Sequence, residues 1–362
     1  MLGFKRTYKL PFKSDIPNYI QDFLANASLL KLRFKYIKRL LFLLIRGQKS
    51  LEVDNILPEH QRILWINISA PSLGDSLMDL SSRILLKNKK IDLFTSKKNG
   101  KLYKNDRIFN SIFTKKEDID RIKYDLVIID SFSSRSINIK YQIAPKVHFV
   151  GMFGYFNGPE VNRVLFSFHR MNQLLGYIKS EVELSNIAKC SISISKSDEK
   201  FVYNLKLPVK YITIAIGGEW KYRTYEHWKQ IIQELNKIDN DLTIVLLGSK
   251  NAEDSITKIL DSHYSTNVIN CTNKYTFNQT TEIIKGAKVL LCSDGGLMHA
   301  ANAVNTPIIA IFARLSPKMQ LTQSIRAETF YDKKDVNNIL AKDIIFKYKE
   351  FVKFAYSHPQ DE

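Results

Sequence analysis

The stretch "SDGGLMHAANAVNTPIIAIF", residues 293–312, sets an acid, two glycines and a histidine between two apolar runs. The preceding "AKVLL" and the closing "PIIAIF" have the length and composition of buried strands. "GLMHAANAV" between them predicts a short helix, ended by Pro307, which cannot continue it. Asp294, Gly295 and Gly296 therefore fall on a strand-to-helix turn. In α/β proteins such turns bind anions, because the first N–H groups of the helix lack partners. A tight turn that merely needs glycine is the simpler account of a Gly-Gly pair. Asp294 before it, and His299 one turn into the helix, favour a binding turn.

Working outward, the same alternation recurs. Upstream, "KYITIAIGG" reads as strand and loop, "TYEHWKQIIQELNKI" as a helix with apolar residues at 228, 231, 232 and 235, and "LTIVLLGS" as a strand. "AEDSITKILDSH", "NVINCT" and "NQTTEIIKGA" complete that half. An earlier set starts with "RILWINIS", followed by the loop "APSLGDS" and the helix "LMDLSSRILLKN". "KIDLFTS", "YDLVIIDSFSS" and "PKVHFVGM" are its further strands. Alternation of this kind predicts two parallel sheets with helices on both faces. The expected organisation is a basic amphipathic N-terminal extension (1–60), a Rossmann-like domain (61–195), a second Rossmann-like domain (196–330) that takes a nucleotide, and a helical tail (331–362).

Composition bounds the rest. The 362 residues, 44% hydrophobic and 11% aromatic, describe a globular chain. Cys190, Cys271 and Cys292 are widely spaced and form no C-x-x-C pair, so a disulfide framework or zinc site is not expected and all three should be core residues. The start "MLGFKRTYKLPFKSD" has no apolar core of signal-peptide type, and no run reaches the about 18 apolar residues of a span. The expectation is a cytoplasmic protein, soluble or associated with a membrane from the cytosolic side. A net charge of +18 points to an anionic partner, or to drift in a Lys-, Ile- and Asn-rich composition. Nucleic acid is not expected, because no basic-aromatic recognition module accompanies the charge.

One segment concentrates that charge. In "LLKLRFKYIKRLLFLLIR", residues 29–46, every residue is hydrophobic or basic, and Lys31, Lys35, Lys38 and Arg46 share one helical stripe. The pattern suits a helix in an anionic membrane interface, with lysine stems snorkelling; a helix packed on the domain body with a basic edge fits as well.

Three turns of the second half carry candidate nucleotide-binding residues. Gly217 and Gly218 follow a strand and precede Lys221 and Arg223, a combination that lets backbone approach a pyrophosphate and cations neutralise it. Gly248 ends the next strand, with Glu253 placed as an acceptor for ribose hydroxyls. Asp294, Gly295, Gly296 and His299 form the third turn. Three such turns at the carboxyl ends of consecutive parallel strands would converge on one crevice. In the first half, Gly74 and Asp75 end the first strand; Asp75 reads as a helix N-cap or as a general base.

"GDSLMDL" at 74–80, "KYRTYEHW" at 221–228 and "DGGLMHAANAVNTPIIAIF" at 294–312 together resemble the motifs of glycosyltransferase family 9, the bacterial ADP-heptose:lipopolysaccharide heptosyltransferases. The resemblance spans residues 61 to about 330. It implies a GT-B fold, two Rossmann-like doubly wound domains facing across a cleft, and an inverting transfer that needs no metal or other cofactor. It further implies Asp75 as the base that deprotonates the acceptor hydroxyl and Lys221 as the residue that stabilises the leaving ADP. Asp294, Gly295 and Gly296 would contact donor sugar and phosphates, His299 would orient the turn, and Glu253 would meet the ribose. The implied partners are a nucleotide-sugar donor, a lipid A/Kdo-type anionic glycolipid acceptor and the inner-membrane surface through residues 29–46. The chain departs from the family pattern at Gly295, where a hydroxyl residue is usual, at Arg223 and Thr224 in place of Trp-Pro, and at "ARLSP" after the last strand. Those departures leave room for another nucleotide sugar, a protein acceptor, or a non-catalytic binding protein.

Overall fold

A computed structural model describes residues 29–120, 123–153, 162–260 and 267–357. The first 28 residues of the expected basic extension, and the last five of the expected tail, lie outside the described residues. The chain separates into two compact units: one runs to Ser193 and includes Thr322–Ser324, and the other comprises Ile194–Leu321 and Ile325 onward.

The first unit opens with helix α1 (Leu29–Ile45). It continues through β1 (Arg62–Asn67), α2 (Leu73–Asp79), β2 (Lys90–Thr95), the single turn α3 (Lys97–Gly100), β3 (Phe109–Phe113), β4 (Leu126–Ile129), α4 (Ser134–Ile143) and β5 (Phe149–Gly151). α5 (Arg163–Leu174) and α6 (Glu181–Ile187) close it. The sheet is all parallel in the order β3-β2-β1-β4-β5. Residues 63–66 of β1 are fully or almost fully buried, as a strand covered by helices on both faces must be. α1 packs on this unit through Tyr36 and Leu43, which share a core cluster with Leu64, Val127 and Phe149. Just past α1, the Gln48 side chain accepts a 2.6 Å hydrogen bond from buried Lys140 on α4.

The second unit contains α7 (Lys196–Tyr203), β6 (Tyr211–Ala215), α8 (Trp228–Ile238), β7 (Thr243–Leu247), α9 (Glu253–Leu260), β8 (Val268–Asn270) and α10 (Phe277–Lys285). β9 (Leu290–Ser293), α11 (Gly296–Ala303), β10 (Ile308–Ala313), β11 (Ala327–Asp332) and α12 (Ala341–Ser357) follow. Its six strands run parallel in the order β11-β10-β9-β6-β7-β8. Alternation along the strands feeds two cores. Ile212, Ile214, Ile244 and Leu246 join Trp228, Ile231, Ile232 and Leu235 of α8 with Ile344 of α12 on one face. Tyr211, Ala215, Val245 and Leu247 join Ile283 and Ile284 of α10 and Met298, Ala300 and Ala301 of α11 on the other. The alanines let α11 lie close to the sheet. All three cysteines are free and buried, which makes them core residues.

In both sheets the chain builds outward from a central strand and then reverses to its other side. The reversal falls between β1 and β4 in the first unit and between β6 and β9 in the second. Crevices at the carboxyl ends of such strand pairs are where open α/β sheets hold ligands.

Candidate active site

In the first unit, the loop after β1 is fixed from β4. One oxygen of buried Asp130 accepts the N–H groups of Ile68 and Ser69 at 2.8 and 2.6 Å, and the other accepts the Ser136 hydroxyl at 2.6 Å. The loop leads to Ser72, which caps α2 by accepting the Asp75 N–H at 3.1 Å. Ser72, not Asp75, is thus the N-cap, and that alternative for Asp75 falls away. The Asp75 carboxylate accepts the Ser72 hydroxyl at 2.6 Å on Oδ2 and Nη1 of Arg163 at 2.6 Å on Oδ1.

Arg163 is the residue sequence reasoning missed. Its Nε and Nη2 donate to the two oxygens of Asp79 at 2.9 and 2.8 Å, so a single guanidinium joins two carboxylates one turn apart on α2. Burial pushes the Asp79 carboxyl up to about 6, with the Arg163 charge pulling in the opposite direction. Burial also works against charge on Arg163, but Asp79 and Asp75 outweigh it and hold the guanidinium above its ordinary value. Asn162 sets where Arg163 stands: its side chain accepts the N–H groups of Val164 and Leu165 at 3.1 Å and so starts α5. That cap was a legible signal in "NRVLF"; the pairing across 84 residues was not.

In the second unit the order β9-β6-β7 brings the three glycine turns side by side at the carboxyl ends of neighbouring strands. Gly217 has φ +92°, and a Cβ there would come within 2.9 Å of the Ala252 Cβ. A Cβ on Gly248 would come within 2.7 Å of the same atom and of the Ile216 carbonyl oxygen. Both glycines are thus required by the close packing of the turns after β6 and β7, whatever else they do. Gly295 differs. Its φ of 173° is ordinary extended backbone, and a Cβ would meet nothing nearer than 3.9 Å. The backbone would accept a hydroxyl residue here, so its absence is a chemical difference and not a geometric necessity.

Asp294 is buried, and its N–H donates to the Ile311 carbonyl at 3.0 Å. Its Oδ2 lies 3.2 Å from Nη1 of Arg223, which joins the turns after β6 and β9. Arg223, expected at a pyrophosphate, is therefore engaged with Asp294. Tyr222 beside it also carries the Arg314 guanidinium, 3.8 Å above its ring. Lys221 opens the same 3₁₀ turn (Lys221–Arg223), is exposed, and has no ion-pair partner among the described residues. Glu253 turns to Asn273, whose amide donates to Oε1 at 2.7 Å. Gly218 follows Gly217 in the turn, Gly296 opens α11, and His299 is buried one turn later. Ser293 Oγ, Arg223 Nε and Asn302 Oδ1 are buried without a hydrogen-bond partner among the described residues. Ser293 Oγ and Arg223 Nε stand at the turns after β9 and β6, where a ligand or water would satisfy them, whereas Asn302 lies in the last turn of α11. Among the described residues, no three His, Cys, Asp or Glu side chains stand together as a metal site.

Two parallel, doubly wound sheets of this kind make the GT-B architecture. The solved glycosyltransferase family 9 structure from Veillonella parvula superposes with a TM-score of 0.68, covering 82% of this chain and 99% of that one at 15% identity. The Escherichia coli heptosyltransferase WaaC with ADP gives 0.62, covering 80% and 99% at 16% identity. Residues 158–334 match the family model of glycosyltransferase family 9 (heptosyltransferase), a range that holds all three glycine turns. Over 104 residues, 28% of this chain, the sequence is 28% identical to lipooligosaccharide heptosyltransferase 2 of Haemophilus influenzae; the match spans 30% of that relative's length. Residues 158–334, just under half of the chain, are thus similar to glycosyltransferase family 9, and the fold of the whole matches solved structures of that family.

Proposed function

We propose that this chain is an inverting, metal-independent glycosyltransferase that moves a heptose from ADP-heptose to the inner core of lipopolysaccharide or lipooligosaccharide. The observation that carries the reading is the turn 294–296 at the reversal of the second sheet, joined by Arg223 to the Lys221 turn, within the family match. A solved relative with ADP supports an adenine nucleotide there. In this reading the N–H groups that open α11 and the Lys221 ammonium stabilise the diphosphate as negative charge develops on it. Asp294 and Gly295 meet the donor sugar, Gly217, Gly218 and Gly248 admit the nucleotide, Glu253 meets the ribose, and His299 supports the turn from below. Asp75 of the first unit takes the proton of the acceptor hydroxyl as its oxygen attacks the anomeric carbon and the bond to ADP breaks, inverting that centre. The test is mass spectrometry of a heptose-free Kdo–lipid A acceptor incubated with ADP-heptose. A gain of one heptose supports the reading, and unchanged acceptor counts against it.

A different nucleotide sugar is the second reading, favoured by Arg223, which with Thr224 replaces the Trp-Pro of the family pattern and holds Asp294, and by Gly295, which stands where a hydroxyl residue is usual. A protein acceptor belongs to the same class of alternative.

The acceptor's lipid anchor implies a peripheral position on the cytosolic face of the inner membrane, and α1 is the surface we assign to it. No helix among the described residues is long and apolar enough to cross a membrane. While Tyr36 and Leu43 face the core, Leu30, Phe34, Ile37, Leu41, Leu44 and Ile45 are exposed along another side, with exposed Lys38 beside them. Each Leu or Phe moved out of water contributes about 2 kcal/mol. Phe34→Asp with Leu41→Asp is therefore expected to weaken binding to phosphatidylglycerol-containing vesicles by about 100-fold or more. Co-sedimentation checks this; equal binding of variant and wild type would remove α1 from the surface.

A further inference from the structure

Arg163 aims three donors at two carboxylates of one helix. Nε and Nη2 close on Asp79, which is 2% exposed, and Nη1 reaches Asp75, which keeps 21%. The guanidinium is thus anchored at its buried end and presents one N–H at the partly open end. Asp75 accepts that N–H on one oxygen and the Ser72 hydroxyl on the other. Each oxygen keeps further acceptor capacity, so the carboxylate is oriented without being used up. A planar fork can satisfy both carboxylates at once; an ammonium, as a point charge, cannot reproduce that geometry. Asn162 at the start of α5 and the Phe153 ring, 5.7 Å from the guanidinium, restrict where Arg163 can move.

We propose that Arg163 is a positioning residue for the transfer: Asp79 anchors its guanidinium, and the guanidinium fixes the orientation in which Asp75 meets the acceptor hydroxyl. The proposal rests on the reading of Asp75 as the base. Misplacing a reacting group by 1 Å costs about 100-fold. Arg163→Ala is therefore expected to lower kcat about 100-fold with the KM for ADP-heptose unchanged, and Arg163→Lys to recover about tenfold of that.

The experiment measures initial rates with ADP-heptose and Kdo–lipid A for wild type, both Arg163 variants, Asp75→Asn and the Asp75→Asn/Arg163→Ala double variant, with circular dichroism as the check on folding. If Arg163 acts through Asp75, adding Arg163→Ala to Asp75→Asn leaves the residual rate unchanged. Full kcat in folded Arg163→Ala, with Asp75→Asn inactive, overturns the positioning role and leaves the base reading intact. An independent, additive loss in the double variant overturns it too. Full activity in Asp75→Asn overturns the base reading and this proposal with it, as does a wild type that transfers nothing. Should Arg163→Ala fail to fold, Arg163→Lys carries the test: a lowered kcat at unchanged KM supports the proposal, and wild-type kcat overturns it.

Discussion

Asp75→Asn is expected to lower heptosyl transfer by about 10²–10⁴-fold, the range a positioned general base contributes. The substitution keeps the shape of the side chain and an oxygen that can accept from Arg163, while removing the group that takes the proton. Ser72 still caps α2, because the cap uses the Asp75 backbone N–H and not its carboxylate. The helix should therefore be undisturbed. ADP binding belongs to the second unit in this account and should be unchanged, which separates loss of chemistry from loss of donor. Turnover close to wild type would show that the proton leaves by another route.

The largest stability effect is expected at Asp106→Ala. Arg83 lies in the 3₁₀ segment directly after α2 and is 1% exposed on its side chain. Its Nε and Nη2 donate to Asp106 Oδ2 at 2.8 and 2.6 Å, and its remaining N–H groups reach the Leu80 and Ser191 carbonyls at 3.0 and 2.9 Å. The Tyr103 and Phe109 rings line the guanidinium at 5.3 and 5.9 Å. Removing the carboxylate leaves a buried cation without its counter-charge, which costs about 3–5 kcal/mol. The loss should appear in denaturant unfolding of the first unit, with the second unit's transition unmoved. A change below about 1 kcal/mol would mean that Arg83 finds water once Asp106 is gone.

The residues that build the second sheet's reversal were legible because their signals are local. "AKVLL", "GLMHAANAV" and "PIIAIF" each announce their element, and the observed helix Gly296–Ala303 sits within one residue of the reading. The apolar spacing 228, 231, 232 and 235 likewise marks the buried face of α8. Two strands went unread, β3 and β11. Both lie at sheet edges and are mostly half-exposed, so neither carries the continuous apolar run of a central strand. The site was legible in part. Strand ends and glycines pointed to the turns at 217, 248 and 294, but side-chain partnerships across the fold leave no local trace. Arg163 with Asp75 and Asp79, Arg223 with Asp294, and Glu253 with Asn273 are all of that kind. The α1 segment shows the same limit. Its composition announced an amphipathic helix, while only the structure separates the side that packs on Leu64 and Val127 from the side that is exposed.

Calorimetric titration of the purified chain with ADP, UDP and ADP-heptose tests the central claim most directly. ADP is expected to bind more tightly than UDP, and ADP-heptose to bind at the same site, displaced by ADP. Preference for UDP would keep the fold and contradict the donor, and no binding of either nucleotide would contradict the transferase reading itself.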